Sequence, residues 1–185
     1  MRIICGKYKG MNLADSSIYK DLRPTTDKNR QALFNILESA KFLNKNGIDL
    51  ENCNVLDLCC GTGALAFEAI SRFANHAVLV DSNRSHIGIA KKNSELLGVD
   101  NCTKFIIADA NYVSIPEAIF DLIFIDPPYK IDATNIVKNI LRKKYAHEKT
   151  LIILESSNDI NFDDFLTKID SRKYGNTYFN FFILK

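Results

Sequence analysis

No run of about 18 apolar residues occurs anywhere in this sequence, so it offers no candidate for a membrane-spanning helix. No apolar leader opens it, and secretion is not expected. Its five cysteines, Cys5, Cys53, Cys59, Cys60 and Cys102, form no C-x-x-C pair, and His76, His86 and His147 are scattered. Metal ligation is therefore not expected, and an odd number of thiols suits a reducing cytosol. Internal repeats and low-complexity tracts are absent as well. Net charge is small, +2 over 185 residues, so the total argues for no particular partner. Its distribution is uneven: residues 1–45 carry nine Lys/Arg against four acids, leaving the remainder at −3. A basic end on a near-neutral body hints at a polyanion, although a solvated lysine-rich surface explains the charge equally well.

What is present suffices for one folded domain with a small appendage, since 46% of the residues are hydrophobic. "RIICGKYKGMNL" reads as a hairpin of two short strands around a Gly-bearing turn, and "SSIYKDLRP" as a linker. In "TTDKNRQALFNILESA", Thr26 can cap a helix on which Leu33, Ile36, Leu37 and Ala40 recur at helical spacing, with Lys28 and Arg30 on a basic side. These segments predict an N-terminal extension over 1–45 and a main domain over 46–185. In that domain strands are predicted at 54–58, 77–80, 103–108, 121–125 and 150–154, with a closing antiparallel pair around 172–184 and helices near 64–73, 85–97 and 134–144. Strands apolar throughout and separated by helices imply a mostly parallel sheet covered on both faces. Right-handed crossovers make it an open doubly wound fold, whose ligands sit beyond the carboxyl ends of the strands.

Four strand ends carry candidate site residues. In "VLDLCCGTGALAFEA", Gly61 and Gly63 let backbone approach a ligand, and the helix from Ala64 points free N–H groups the same way. Gly61, Gly63 and Ala66 also satisfy a G-x-G-x-x-A dinucleotide fingerprint, so an NAD enzyme stays in play. Asp57 weighs against it, because a carboxylate beside the glycine turn attracts a cation and repels a pyrophosphate. S-adenosylmethionine, with its sulfonium and ammonium, is the better guest, held by Asp57, Cys59, Gly61 and Gly63. Asp81, with Ser82, ends the second strand where an acid can accept ribose hydroxyls; Asp109, with Ala110, follows the third, placed for an adenine amine or as an ordinary cap.

The fourth is "LIFIDPPYKI". Each proline fixes φ and removes an N–H, so the Pro127 carbonyl can stand outward as a rigid acceptor beside Asp126. Tyr129 offers a face on which a planar substrate can stack. Two fixed acceptors suit methylation of an exocyclic nucleobase amine: hydrogen bonds from the nitrogen to Asp126 and Pro127 stabilise the charge that forms on attack. Asp rather than Asn leans toward guanine, whose N1–H lies next to its N2 amine. Adenine methyltransferases also use Asp-Pro-Pro-Tyr, so an N6-adenine or other exocyclic-amine enzyme remains an alternative.

Over nearly its whole length the sequence resembles the RsmD-type bacterial methyltransferases, which modify the N2 of one guanine in 16S ribosomal RNA of the small subunit. "RIICGKYKG", "LRPTTDKNRQALFNIL", "DLCCGTGALAFEAISR", "FIDPPY" and "LIILESS" carry the resemblance, the Arg-Pro-Thr helix most specifically. It implies a Rossmann-like class I fold, S-adenosylmethionine as cofactor, and a cytoplasmic monomer acting on 16S rRNA without membrane or metal. It also implies that Arg2, Lys7, Tyr8, Lys9, Arg23, Thr25, Thr26, Arg30 and Pro128 meet the RNA or close over the site. Cys5, Cys60, Ala66 and Asp81 depart from the family pattern, and a thiol beside the cofactor is expected to be oxidation-sensitive. A DNA or protein-glutamine methyltransferase and a noncatalytic ribosome-binding module with the same fold are the rival readings.

Overall fold

The computed structural model describes residues 1–14, 26–116, 118–128 and 131–185. Seven strands form one sheet: β1 (Asn54–Leu58), β2 (His76–Asp81), β3 (Thr103–Ile107), β4 (Phe120–Ile125), β5 (Ala146–Ser156), β6 (Leu166–Tyr174) and β7 (Thr177–Leu184). Their order is β3-β2-β1-β4-β5-β7-β6. The first five run parallel, and β7 enters antiparallel between β5 and β6. The order reverses at β1 and β4, and a doubly wound sheet opens its crevice at that switch point. This is the Rossmann-like class I arrangement. Each predicted strand occurs, with β5 and β6 longer than expected.

Helices α1 (Asp27–Leu37), α2 (Ala40–Asn46), α3 (Ala64–Ser71), α4 (Arg84–Leu97) and α5 (Thr134–Arg142) cover the sheet. Alternate strand residues feed two cores. Val55, Phe124, Ile153 and Phe181 join Ile3, Leu33, Phe34 and Leu37 on one face, while Leu56, Ile125, Leu154 and Phe182 meet Ile136 and Ile140 on the other. Residues 1–14 and α1 therefore share a core with the sheet. Burying Leu33, Phe34 and Leu37 supplies about 1.5–3 kcal/mol each, enough to hold α1 down.

Thr26 caps α1 as the sequence suggests, its hydroxyl accepting from the Asn29 N–H at 3.2 Å. The helix stops sooner than the apolar spacing implies: Glu38 and Ser39 close it with bonds to the Phe34 and Ile36 carbonyls, and Ala40 opens α2. The hairpin of two strands reduces to a single bridge, Arg2 with Asn12, around a turn. Its turn is docked on α3 instead. The Lys7 N–H donates to the Ser71 carbonyl at 2.8 Å, and Ser71 Oγ donates to the Cys5 carbonyl at 2.5 Å. Gly6, at φ +81°, is required there because a Cβ would lie 1.9 Å from the Ser71 oxygen.

The expected basic side of α1 is corrected at Arg30, which is 0% exposed. Its Nε donates to Glu68 Oε1 at 3.2 Å, and its Nη2 donates to the Arg2 carbonyl at 2.5 Å and to Asp27 at 3.0 Å. Glu68, also fully buried, accepts from the Ile4 N–H at 2.6 Å and from Arg72. A guanidinium with this many fixed acceptors is held inside by them, since an unpaired buried charge would be far costlier.

Candidate active site

A cavity of about 530 Å³ opens beyond the carboxyl ends of β1, β2, β3 and β4. Asp57, Cys59, Gly61, Asp81, Ser82, Asp109, Ala110, Asp126, Pro127 and Pro128 all line it, so one space gathers the residues of the four strand ends. Thr26, with Asn29, brings the start of α1 over the same space. Tyr129, Arg23 and Thr25 lie outside the described residues, as does the whole linker "SSIYKDLRP".

The glycine loop turns between β1 and α3. Gly63 N-caps α3 at φ +77° but does not line the cavity. A Cβ at this position would lie 2.6 Å from both Leu79 Cδ2 and Phe67 Cε2. Gly63 permits helix and sheet to pack closely, and Gly61 fronts the cavity. No side chain at Gly63 satisfies the free N–H groups of α3. Asp57 does so from β1, Oδ2 accepting from the Ala66 N–H at 3.2 Å. The other oxygen of Asp57, Oδ1, is buried without a hydrogen-bond partner. Burial, with a smaller contribution from Asp81, pushes this carboxyl up to about 7. An orphaned carboxylate oxygen on a cavity wall is completed by a cationic donor, and the ammonium of S-adenosylmethionine fits that description.

Asp81 is already engaged. Oδ2 accepts from the Gly61 N–H at 2.9 Å, while Oδ1 accepts from the Asn83 N–H at 2.8 Å and contacts His86 Nδ1 at 3.2 Å. It ties the glycine loop to the start of α4, and a carboxylate with about four acceptor sites retains capacity for a ribose hydroxyl. Asp109 serves the next turn, accepting from the Asn111 backbone and side-chain nitrogens at 2.8 Å each while fronting the cavity.

Cys59 registers the field of the whole space. It sits at φ +62° among the acids, and burial, followed by Asp81, Asp126, Asp57 and Asp109, pushes its thiol up to about 12. Burial and the same kind of neighbours also raise Cys60. Burial and the surrounding acids favour the protonated thiol at both positions, which works against the oxidation sensitivity expected beside the cofactor, since the thiolate is the reactive form. Four carboxyls converging on one cavity favour a cationic guest and disfavour a pyrophosphate.

Asp126 extends the β1–β4 ladder, its N–H donating to the Leu58 carbonyl at 3.2 Å. Pro127 is buried behind it, and the Pro128 carbonyl accepts from the Ile131 N–H at 2.8 Å to close the turn. Among the lining residues that the sequence reading did not single out are Asn29 on α1, Glu155 at the end of β5 and Thr177 at the start of β7. Glu155 carried a signal, as the first acid after the apolar run "LIIL".

The described basic residues near the N-terminus lie elsewhere. Arg2, Lys7 and Lys9 are exposed, and Lys7 Nζ stands 5.2 Å over the half-buried Tyr8 ring. Arg2 and Lys9 share a groove of about 310 Å³ with Lys28 and Gln31. Among the described residues no group of His, Cys, Asp or Glu could hold a metal ion, and no helix is long and apolar enough to cross a membrane.

Comparison with known proteins agrees with this architecture. A family model described as "Conserved hypothetical protein 95" matches residues 1–183. An uncharacterized methylase of Rickettsia prowazekii is 29% identical, over 95% of this chain and 94% of its own. Ribosomal RNA small subunit methyltransferase D of Escherichia coli K12 is 30% identical, over 84% of this chain and 74% of its own. Among solved structures, a putative methyltransferase yhhF from Escherichia coli superposes with a TM-score of 0.82 at 23% identity, covering 100% of this chain and 98% of that one.

Proposed function

Since the chain belongs to the RsmD-type methyltransferase family, we propose that it methylates the exocyclic N2 of a guanine in 16S ribosomal RNA of the small subunit, in the cytoplasm. S-adenosylmethionine is the methyl donor. The observation that carries the reading is the convergence of four strand-end carboxyls on one cavity, with the rigid Asp126-Pro127 pair at its wall. A cationic cofactor suits that field, and an exocyclic amine suits the acceptor pair.

In this reading Asp57 accepts the cofactor ammonium, Asp81 its ribose and Asp109 the adenine end. Asp126 and the Pro127 carbonyl accept the two amine hydrogens, which draws the nitrogen lone pair out of conjugation and stabilises its forming positive charge. The S-adenosylmethionine sulfonium supplies the methyl group. The protein's remaining contribution is alignment, which in favourable cases is worth about 7–11 kcal/mol. Arg2, Lys7 and Lys9 hold RNA phosphates, which fix register without reading sequence. Tyr129 stacks on the base, and Thr26 and Pro128 border it.

The test is transfer of labelled methyl from S-adenosylmethionine to small subunits lacking their own modification, with naked 16S RNA, DNA and a protein acceptor alongside, followed by nucleoside analysis. N2-methylguanosine in ribosomal RNA is expected. Methyladenine or methylated protein would overturn the guanine assignment, and no transfer to any acceptor with the cofactor bound would favour a noncatalytic ribosome-binding role.

A further inference from the structure

Asp81 has less room for a ribose than its place at the end of β2 suggests. Its Oδ1 already takes the Asn83 N–H at 2.8 Å and His86 Nδ1 at 3.2 Å, and its Oδ2 takes the Gly61 N–H at 2.9 Å. Among the described residues these contacts fill three of the carboxylate's roughly four acceptor sites, leaving one on Oδ2. A ribose presents two adjacent hydroxyls. The second needs a partner beside Asp81, and the neighbours that line the cavity there are Ser82, Asn83 and His86. Asn83 is committed to capping α4, its Oδ1 accepting from the Ser85 N–H at 2.8 Å. Ser82 is exposed, and ordering its side chain would cost rotamer freedom. His86 is held in advance: it stands in the first turn of α4, its side chain is 14% exposed, and Asp81 fixes its ring through Nδ1.

An ionised carboxylate only accepts hydrogen bonds, so Nδ1 carries the hydrogen of the contact with Asp81, and Nε2 of a neutral imidazole is then an acceptor. We propose that His86 is a cofactor-binding residue, its Nε2 accepting one ribose hydroxyl of S-adenosylmethionine while Asp81 Oδ2 accepts the other; this rests on the reading of Asp81 as the ribose acceptor. A neutral ring suits the place. Asp57, Asp81, Asp109 and Asp126 already charge the cavity, and imidazole adds an acceptor without a further negative charge. The pair selects an intact diol, because a cofactor lacking either hydroxyl leaves an acceptor facing the cavity unpaired. Through Asp81 and His86 the ribose is tied to the glycine loop and to α4 at once.

The test is calorimetric binding of S-adenosylmethionine and of its 2′-deoxy and 3′-deoxy analogues, each of which lacks one hydroxyl. The unaltered protein should bind each analogue about tenfold more weakly than the cofactor itself. His86→Phe, which keeps a ring and loses both nitrogens, should bind S-adenosylmethionine about tenfold more weakly. In that variant one analogue should bind within about twofold of the cofactor, while the other keeps its penalty. His86→Ala should give the same pattern, which separates the lost nitrogen from crowding by a phenyl ring, and Ser82→Ala should retain both penalties. Both penalties kept in the His86 variants would overturn the proposal, as would the loss of one in Ser82→Ala. Loss of both in the His86 variants would overturn it as well, since His86 would then act only by placing Asp81. The unaltered protein decides even where a variant does not fold: one analogue that binds as tightly as the cofactor sinks the His86 assignment alone, whereas two such analogues sink the ribose reading of Asp81 beneath it.

Discussion

Replacing Arg30 by alanine separates two views of the N-terminal helix. As a surface RNA contact, Arg30 would be dispensable for folding; as the buried cation between Glu68, Asp27 and the Arg2 carbonyl, it would not. Removing one partner of a buried ion pair costs about 3–5 kcal/mol. Glu68 would keep Arg72 and the Ile4 N–H, which puts the pair at the low end, while the Arg2 carbonyl would lose a donor worth about 1 kcal/mol. The expected loss is about 3–4 kcal/mol. With a urea slope of about 2 kcal/mol/M, the unfolding midpoint should fall by about 1.5–2 M. Lys28→Ala, on the exposed side of the same helix, should stay within about 0.5 kcal/mol. A loss below about 1 kcal/mol for Arg30→Ala, accompanied by weakened RNA binding, would refute the buried-network account.

Gly63→Ala should lose about 2–4 kcal/mol by thermal denaturation, from a left-handed φ and overpacking against Phe67 and Leu79, and should weaken S-adenosylmethionine binding by calorimetry. Asp57 has a folded value of about 7 against about 3.9 in the unfolded chain, so its contribution is fully present below about pH 4 and is lost as pH rises toward 7. The cofactor-free melting temperature should fall across that window by the equivalent of up to about 4 kcal/mol, and Asp57→Asn should flatten the slope. Cys59, with its thiol near 12, should alkylate about a thousandfold more slowly at pH 8 than an ordinary cysteine, as timed iodoacetamide labelling and mass spectrometry would show. Asp126→Ala should abolish methyl transfer while leaving S-adenosylmethionine affinity within a few-fold; collapse of both would mean that Asp126 holds the cofactor.

The central strands were legible because short apolar runs recur between helical segments, with an acid at or just before or after the end of each. The same rule pointed to Asp57, Asp81, Asp109 and Asp126, all of which reach one cavity. Applied to β5 it would have reached Glu155, but the acid after "LIIL" lies beside a switch from parallel to antiparallel pairing that a linear reading does not foresee. Arg30 was misread because Asp27, Lys28 and Asn29 just before it suggest a solvated face, whereas its partner Glu68 lies 38 residues away. The clue was Glu68 itself, an acid in the apolar helix "ALAFEAIS" that has to find a cation once buried. Gly63 carries a demand that the sequence did not reveal: a glycine in a binding loop can also answer to packing behind it.

Helix α3 acts as a strut with a different load at each end. Its first turn faces the cavity, its last residue, Ser71, is clamped by the turn of residues 5–8, and Glu68 between them holds Arg30 and the Ile4 N–H. Eight residues at about 1.5 Å each separate the cavity end of the helix from the docked turn by about 12 Å. Lengthening the strut by a single residue would swing the appendage through about 100° around its axis while advancing it only about 1.5 Å. The offset between the cavity and the docked turn is therefore set by a rigid ruler, and a longer or shorter α3 would carry Arg2, Lys7 and Lys9 to a different place around the cavity.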